Sequence, residues 1–363
     1  MTSKLVVPHA RDIVMSDYAA VARVLGFDLD NTLARSKMPM SDETARLFIS
    51  LTHILPVAIV TGGRYELIES QVLDSVAPYA YAPHLVLLPT TGTSYYRFNG
   101  RSYVPWYVLE LTADQKNRAQ AALEKCARAL GLWYKHTDGV RIEDRGSQIT
   151  FSALGSQAHL DLKEAWDADG SKRTVLAAHV QRELPDLTVR VAGATSVDIS
   201  SRGIDKAFAV SKIAQQFNIS TSDIVFVGDR MSEGGNDYPA AVAGTHAVRV
   251  DGPDDTNDFM RSFMRAYTHG IMIDVVSRRV WVHDKEVAIA DTEFSLLLAL
   301  LHARGEVVSR EDLLKQAWGY EDSGDTRLLS VSIARLRAVL EDNLQMPQRI
   351  QTVRGGGYRL VFA

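Results

Sequence analysis

The chain has 363 residues, more than one ordinary core can organise, and 46% hydrophobic with 23% charged content describes a globular protein of two or three domains. A formal net charge of −4 excludes a general electrostatic pull toward nucleic acid, so any DNA contact must come from a local surface. With Cys126 as the sole cysteine, no basic-then-apolar leader in residues 1–20 and no run long enough to span a bilayer, the expectation is a cytoplasmic protein without internal disulfide or membrane partner.

After a polar lead-in, the apolar residues 21–25 run into Gly26-Phe27-Asp28-Leu29-Asp30-Asn31-Thr32-Leu33. This reads as a buried parallel strand whose carboxyl end carries two acids, and such strand ends are where open α/β sheets bind ligands. Asp28 and Asp30 are too close to coexist cheaply as free carboxylates. They invite either a divalent cation or a division into one ionised nucleophile and one protonated acid. A helical stretch at 42–55 leads to a second apolar run, 54–60, which ends in Thr61-Gly62-Gly63-Arg64, where a hydroxyl and backbone donors can meet a phosphate. Another helical stretch covers 65–73, and the alternation predicts a doubly wound parallel sheet.

The pattern breaks between residues 105 and 195 and resumes afterwards, so that segment reads as an inserted α+β cap. It holds helical stretches at 113–130 and near 174–183, with short strands at 140–143, 148–152 and 187–191. Lys206 then opens an amphipathic helix after Ser200-Ser201-Arg202-Gly203-Ile204-Asp205, where its ammonium can neutralise a phosphate. The strand 224–228 ends in Asp229 and is followed by Gly234-Gly235-Asn236-Asp237, a further carboxylate source for a hard cation.

These four stretches, in this order, resemble the four motifs of the haloacid dehalogenase (HAD) superfamily of phosphotransferases. The resemblance implies that Asp28 is phosphorylated, that Asp30 is the general acid and base, and that Thr61 and Lys206 complete the catalytic set. It also implies magnesium at Asp28, Asp229 and the Asp30 carbonyl, with Asn236 and Asp237 behind them. Within the superfamily, Arg141-Ile142-Glu143-Asp144-Arg145, Ser196-Val197-Asp198 and Gly203-Ile204-Asp205-Lys206 look like the phosphomannomutase branch. By that likeness Gly62, Arg145, Ser196 and Asp198 hold a phosphorylated sugar, Arg145 through the planar fork that suits phosphate. Two departures stand out: Ser156 occupies a position where the mutases carry an arginine, and Lys37 replaces a core arginine. Loss of a distal cation weakens mutase chemistry more than hydrolysis. The expected organisation is a HAD-like core at 1–104 and 196–269, the cap at 105–195, and a further module at 270–363.

From Ile271 the pattern changes. Residues 271–276 and 279–289 read as strands, and Asp291 reads as the cap of a helix over 292–303. Ser309-Arg310-Glu311-Asp312 is a capping-box-like start for a helix ending near Trp318. A third helix over 327–340 carries the apolar stripe Leu329, Ile333, Leu336 and Leu340, and Thr352 to Leu360 form a glycine-tipped hairpin. This order resembles the winged helix-turn-helix domain of OmpR/PhoB-type response regulators. It implies a third helix in the major groove of double-stranded DNA, with Arg327, Ser330 and Arg335 facing the bases, and a wing that brings Arg354 to the minor groove. From Gly270 onward there are twelve basic and thirteen acidic residues, so nonspecific attraction should be modest and two copies on neighbouring half-sites are expected. Two functions stay open: a DNA-binding regulator whose HAD unit senses or hydrolyses a phosphorylated sugar, or a metabolic phosphatase or phosphomutase whose winged helix serves protein contacts.

Overall fold

The computed structural model describes residues 5–77, 84–319 and 327–363. In chain order the core strands are β1 (Val24–Phe27), β2 (Val57–Val60), β3 (Leu85–Leu88), β4 (Ser94–Phe98) and β5 (Tyr103–Val108). The cap strands are β6 (Ile142–Asp144), β7 (Gln148–Ser152), β8 (Leu187–Ala192) and β9 (Ser196–Ser201), after which β10 (Ile224–Gly228) and β11 (His246–Arg249) rejoin the core. The core sheet has the order β11-β10-β1-β2-β3-β4-β5. Its first five strands are parallel and buried as continuous apolar runs because helices cover both faces. Leu25 and Phe27 pack toward Phe48 and Phe259, from helices Asp42–Thr52 and Pro253–Tyr267, while Val24 and Ala58 pack toward Val210 and Ile213 of helix Lys206–Phe217.

Two expectations change. The sheet is not wholly parallel, since β4 and β5 extend one edge as an antiparallel pair. The cap boundaries also move, because β5 belongs to the core sheet and β9 to the cap sheet, whose order is β6-β7-β9-β8. The reason for β9 is written in its alternation. Val197 and Ile199 join the cap's apolar cluster under helices Ala113–Ala129 and Ser171–Glu183, while Ser196, Asp198 and Ser200 point the other way. A period of two belongs to a half-buried antiparallel strand, not to a doubly covered parallel one. The polar rung Glu143, Thr150 and Asp198 lies on the side facing the core, where Arg64 reaches Glu143 at 3.5 Å.

The last module opens with an antiparallel sheet of β12 (Ile271–Asp274), β13 (Arg279–Val282) and β14 (Lys285–Val287). The second expected strand is thus split by a turn at His283 and Asp284, both with positive φ, as tight hairpins require. Gly270 has φ of 92°, and an added Cβ would lie 2.7 Å from the His283 ring, so the junction requires glycine. Helices Asp291–His302, Arg310–Trp318 and Arg327–Leu340 follow, and β15 (Ile350–Val353) with β16 (Gly357–Leu360) form the wing. Ser309 caps its helix by accepting from the Asp312 N–H at 3.0 Å. Asp291 does not cap: Ala290 holds that position, and Asp291 pairs with Arg278 at 3.0 Å. Leu329, Ile333, Leu336 and Leu340 are all buried, as the stripe requires.

This module sits against the core. Ser50 accepts from the Val275 N–H at 3.1 Å, the His53 and His302 rings stack with centroids 4.8 Å apart, and Tyr267 accepts from the Ala363 N–H at 2.9 Å. Among the described residues no helix is long and apolar enough to cross a membrane.

Candidate active site and DNA-binding surface

Register brings the motif residues to one edge. Phe27 lies beside Ile59 and Val227, so Asp28, Thr61 and Asp229 emerge together from the carboxyl ends of three adjacent parallel strands. Lys206, at the first turn of its helix, enters from the opposite face with its side chain almost wholly buried. Its ammonium donates to both Asp28 and Asp237. Asp237 is fully buried, and its second oxygen accepts from the Arg230 N–H at 2.8 Å. Gly228 makes room for this arrangement: a Cβ there would lie 2.5 Å from the Asp237 carboxylate.

Oxygens of Asp28, Asp229 and Asp237 lie within 4.8 Å of one another. Burial, with the Asp237 and Asp229 charges against the Lys206 attraction, pushes the Asp28 carboxyl up to about 7. Burial and then Asp237 push Asp229 up to about 6. Burial alone would lower the Lys206 ammonium, but Asp237 and Asp28 raise it. Asp237, expected behind the cluster, joins it, and the Asp30 side chain accepts from the Lys37 N–H at 3.0 Å. Asn236 is exposed.

Thr61 is buried and accepts from the Gly63 N–H at 3.1 Å, leaving Gly62 exposed between them. A turn absent from the sequence reading supports this loop. Thr90, Thr91 and Gly92 all have positive φ, and the Thr90 and Thr91 N–H groups donate to the Gly63 and Thr61 carbonyls at 2.7 and 2.8 Å. Two consecutive threonines in the left-handed region are strained backbone beside the site. The signal was Pro89-Thr90-Thr91-Gly92 directly after an apolar run.

On the cap, Arg145 pairs with Glu143 at 2.9 Å, and its Nε is buried without a partner. Asp198 accepts from Thr150 at 2.8 Å, burial raising its carboxyl above the ordinary range while Arg145 opposes this. The Ser196 hydroxyl meets that of Ser152 at 3.2 Å. Sequence reasoning missed Lys163, on helix Leu160–Trp166, which is 9% exposed and donates to the Ser156 carbonyl at 2.8 Å. Burial, then the Lys37 charge, lowers its ammonium.

On the DNA-binding module, Arg327, Ser330 and Arg335 lie on the exposed face of helix Arg327–Leu340, and Arg354 is exposed at the wing tip. Arg335 approaches Glu293 at 3.8 Å. Arg337 turns inward and clamps the wing, donating to the Ile350 carbonyl at 2.6 and 3.0 Å and to the Thr352 hydroxyl at 2.9 Å.

Fold and site together define a HAD-like α/β core with an inserted cap, joined to a winged-helix module. Comparison with known proteins agrees. Residues 113–266 match the family model described as "Eukaryotic phosphomannomutase", and residues 284–360 match "Transcriptional regulatory protein, C terminal". The DNA-binding response regulator MtrA of Mycobacterium tuberculosis (strain H37Rv) is 28% identical over 197 residues, 53% of this chain and 82% of that protein. The probable transcriptional regulator ycf27 of Porphyra purpurea is 43% identical over 90 residues, 24% of this chain and 37% of that protein. An IMP-bound mutant form of the Plasmodium falciparum IMP-nucleotidase aligns with a TM-score of 0.53 at 15% identity, covering 69% of each chain. The chain thus fuses a phosphomannomutase-like HAD domain to an OmpR/PhoB-type DNA-binding regulator domain.

Proposed function

We propose that the protein is a cytoplasmic transcription regulator whose HAD domain binds and hydrolyses a phosphorylated sugar. The observation that carries this reading is the buried Lys206 ammonium held between Asp28 and Asp237, with Asp229 alongside. A purely structural strand end has no use for three acids and a lysine out of water, since burying charge is costly unless it is needed.

In this reading an Asp28 oxygen attacks the phosphorus atom and the bond from phosphorus to the sugar oxygen breaks. Asp30 gives that oxygen its proton, then takes one from the water that attacks the phosphoaspartate, releasing inorganic phosphate. Lys206 offsets negative charge on the transferring group, and Asp237 fixes Lys206. Three clustered carboxylates, two of which, Asp28 and Asp229, burial pushes toward protonation, fit a hard divalent cation. Asp28, Asp229 and Asp237 would hold magnesium, which supplies charge neutralisation around the phosphoryl oxygens. Arg145 and Lys163 on the cap would take the far end of the ligand. Because a lysine is a point charge without the arginine fork, hydrolysis should exceed mutase turnover.

The link to DNA runs through helix Asp42–Thr52. Its N-terminus follows the loop that joins Asp30 to Lys37, a loop braced where Gln71 donates to the Met38 carbonyl at 2.8 Å. Its other end carries Ser50 and His53, which meet the DNA-binding module. A ligand that draws the cap onto this loop would favour one placement of that module and so bias pairing of two copies on adjacent half-sites; equal affinity for both placements would shift nothing.

The test is phosphate release from a panel of phosphomonoesters, hexose phosphates and inosine monophosphate included, with and without magnesium. Failure to turn over or thermally stabilise with any of them would reject the HAD reading.

A further inference from the structure

The core carries a cavity of about 230 Å³ between the start of β3, strand β4 and the end of helix Lys206–Phe217. Its walls include His84, Val86, Tyr95, Arg97, Phe98 and Phe217. Lys206 opens that twelve-residue helix and Phe217 closes it, so a helix length of about 16 Å separates the cavity from the Asp28 cluster.

Tyr95 is 1% exposed, and its hydroxyl is buried without a hydrogen-bond partner. Its cross-strand neighbour Tyr107 does what buried tyrosines usually do and donates to the Gly92 carbonyl at 2.7 Å. An orphan hydroxyl is a standing cost to the fold, and on a residue that walls a cavity a ligand can relieve it. The Arg97 guanidinium lies over the Trp106 ring, 3.5 Å from its centroid, and among the described residues no carboxylate pairs with it. Stacking covers one face of the guanidinium plane and leaves its N–H edge for a planar acceptor. Burial, then Tyr107, raises the Tyr95 hydroxyl and the Arg97 charge opposes them, so the field of that cation reaches the orphan oxygen.

The third polar wall group adds no charge. Burial, then Arg304 and His302, push the His84 imidazole down to about 4, and its ring nitrogens lie 2.8 and 3.0 Å from Arg304 of the C-terminal module. A single cation suits a monoanion better than a phosphate dianion. Phe98 and Phe217 favour a flat apolar body, and the volume admits about ten non-hydrogen atoms, fewer than a drug-sized site holds.

We propose that this cavity is a second ligand site, taking a small aromatic monocarboxylate whose carboxylate meets Arg97 and Tyr95 and whose ring lies against Phe98 and Phe217. The site borders the C-terminal module through His84 and Arg304. It is independent of the Asp28 cluster and stands whether or not that cluster turns over a substrate.

The experiment titrates the full-length protein with benzoate, and with benzamide as its uncharged counterpart, by calorimetry and ligand-observed NMR. The expected result is one benzoate per chain with a Kd on the order of 1 mM, which a ligand of this size allows, and benzamide about tenfold weaker. Inorganic phosphate with magnesium, directed to the Asp28 cluster, should leave benzoate binding unchanged. Arg97→Gln, at an exposed position, should remove the preference for the anion. Tyr95→Phe should weaken benzoate about fivefold and melt no lower than the parent, because it deletes a hydroxyl with no partner to lose. Absence of benzoate binding, equal affinity for benzamide, or benzoate affinity unchanged in both variants overturns the proposal. Displacement of benzoate by phosphate overturns it as well, since the probe would then sit at the Asp28 cluster. A lower melting temperature for Tyr95→Phe would show that the hydroxyl is already bonded, and the site would lose the group that defines it.

Discussion

Lys206 has Asp28 and Asp237 against its ammonium and 2% of its side chain in contact with water, whereas Arg335 is 72% exposed and has Glu293 no nearer than 3.8 Å. In the proposed function both are cations that face a phosphorylated partner. In the buried site each charge acts through a low dielectric, so removing one partner strands the other at large cost. On the exposed helix, solvent and counterions screen each charge, so recognition is spread over many small contacts. Single substitutions should therefore act as switches at one end of the molecule and as graded adjustments at the other.

The largest effect should come from Asp28→Asn, which keeps the shape and removes the nucleophile. Turnover should fall on the order of a thousandfold or more while affinity for a selected duplex stays the same. Phosphate release at the parental rate would show that the buried cluster is not the reacting site. Next, Lys206→Met should destabilise the protein by about 3 kcal/mol at neutral pH, because it leaves Asp28 and Asp237 buried without their cation. Asp237→Asn in the same chain should recover part of that loss, measured by denaturant titration of the four-member cycle.

The same burial sets a pH dependence. Asp28 is held at about 7, above its ordinary 3.8, so the folded state binds its proton more tightly than the unfolded chain does. This contribution is fully present below the unfolded value and is lost as the pH rises through about 7. Melting in the absence of divalent cations should show a falling limb over that window, which Asp28→Asn flattens and added magnesium offsets. A parent curve with no such limb would contradict the burial argument. On the exposed side, Arg337→Ala should free the wing and cost about tenfold in DNA affinity, since it deletes charged hydrogen bonds to Ile350 and Thr352. Arg354→Ala should do least. A few-fold weakening, shared across sequences, with the salt slope reduced by about one, would mark a single phosphate contact.

The strand ends were legible because a continuous apolar run that stops at an acid leaves little freedom for where that acid can sit. Asp28, Thr61 and Asp229 stand at the ends of adjacent strands, and Lys206 reaches Asp28. Asp237 was placed one step too far out, because it returns to the cluster through a glycine-containing loop whose path local pattern does not encode. Pattern also does not say which way the Asp30 side chain turns: a turn with Asn31 at φ 58° gives it the Lys37 N–H. The short helix with Lys163 has only seven residues, too few to show a period. Asp291 matched a helix start by type, but Arg278, thirteen residues earlier in the chain, had the stronger claim on its carboxylate.

Phe48, Ile49, Phe263 and Met264 of the HAD-like core share one apolar cluster with Ile271, Ile273, Phe294 and Leu301 of the C-terminal module. Surfaces that exclude water together are lost together, so heat should melt both modules in a single transition, with coincident curves from probes in each. A chain cut at Gly270 would expose both halves of that cluster and aggregate before it could be assayed. Damage to the HAD-like core would for the same reason unfold the C-terminal module as well, making proteolytic quality control of the one a check on the other.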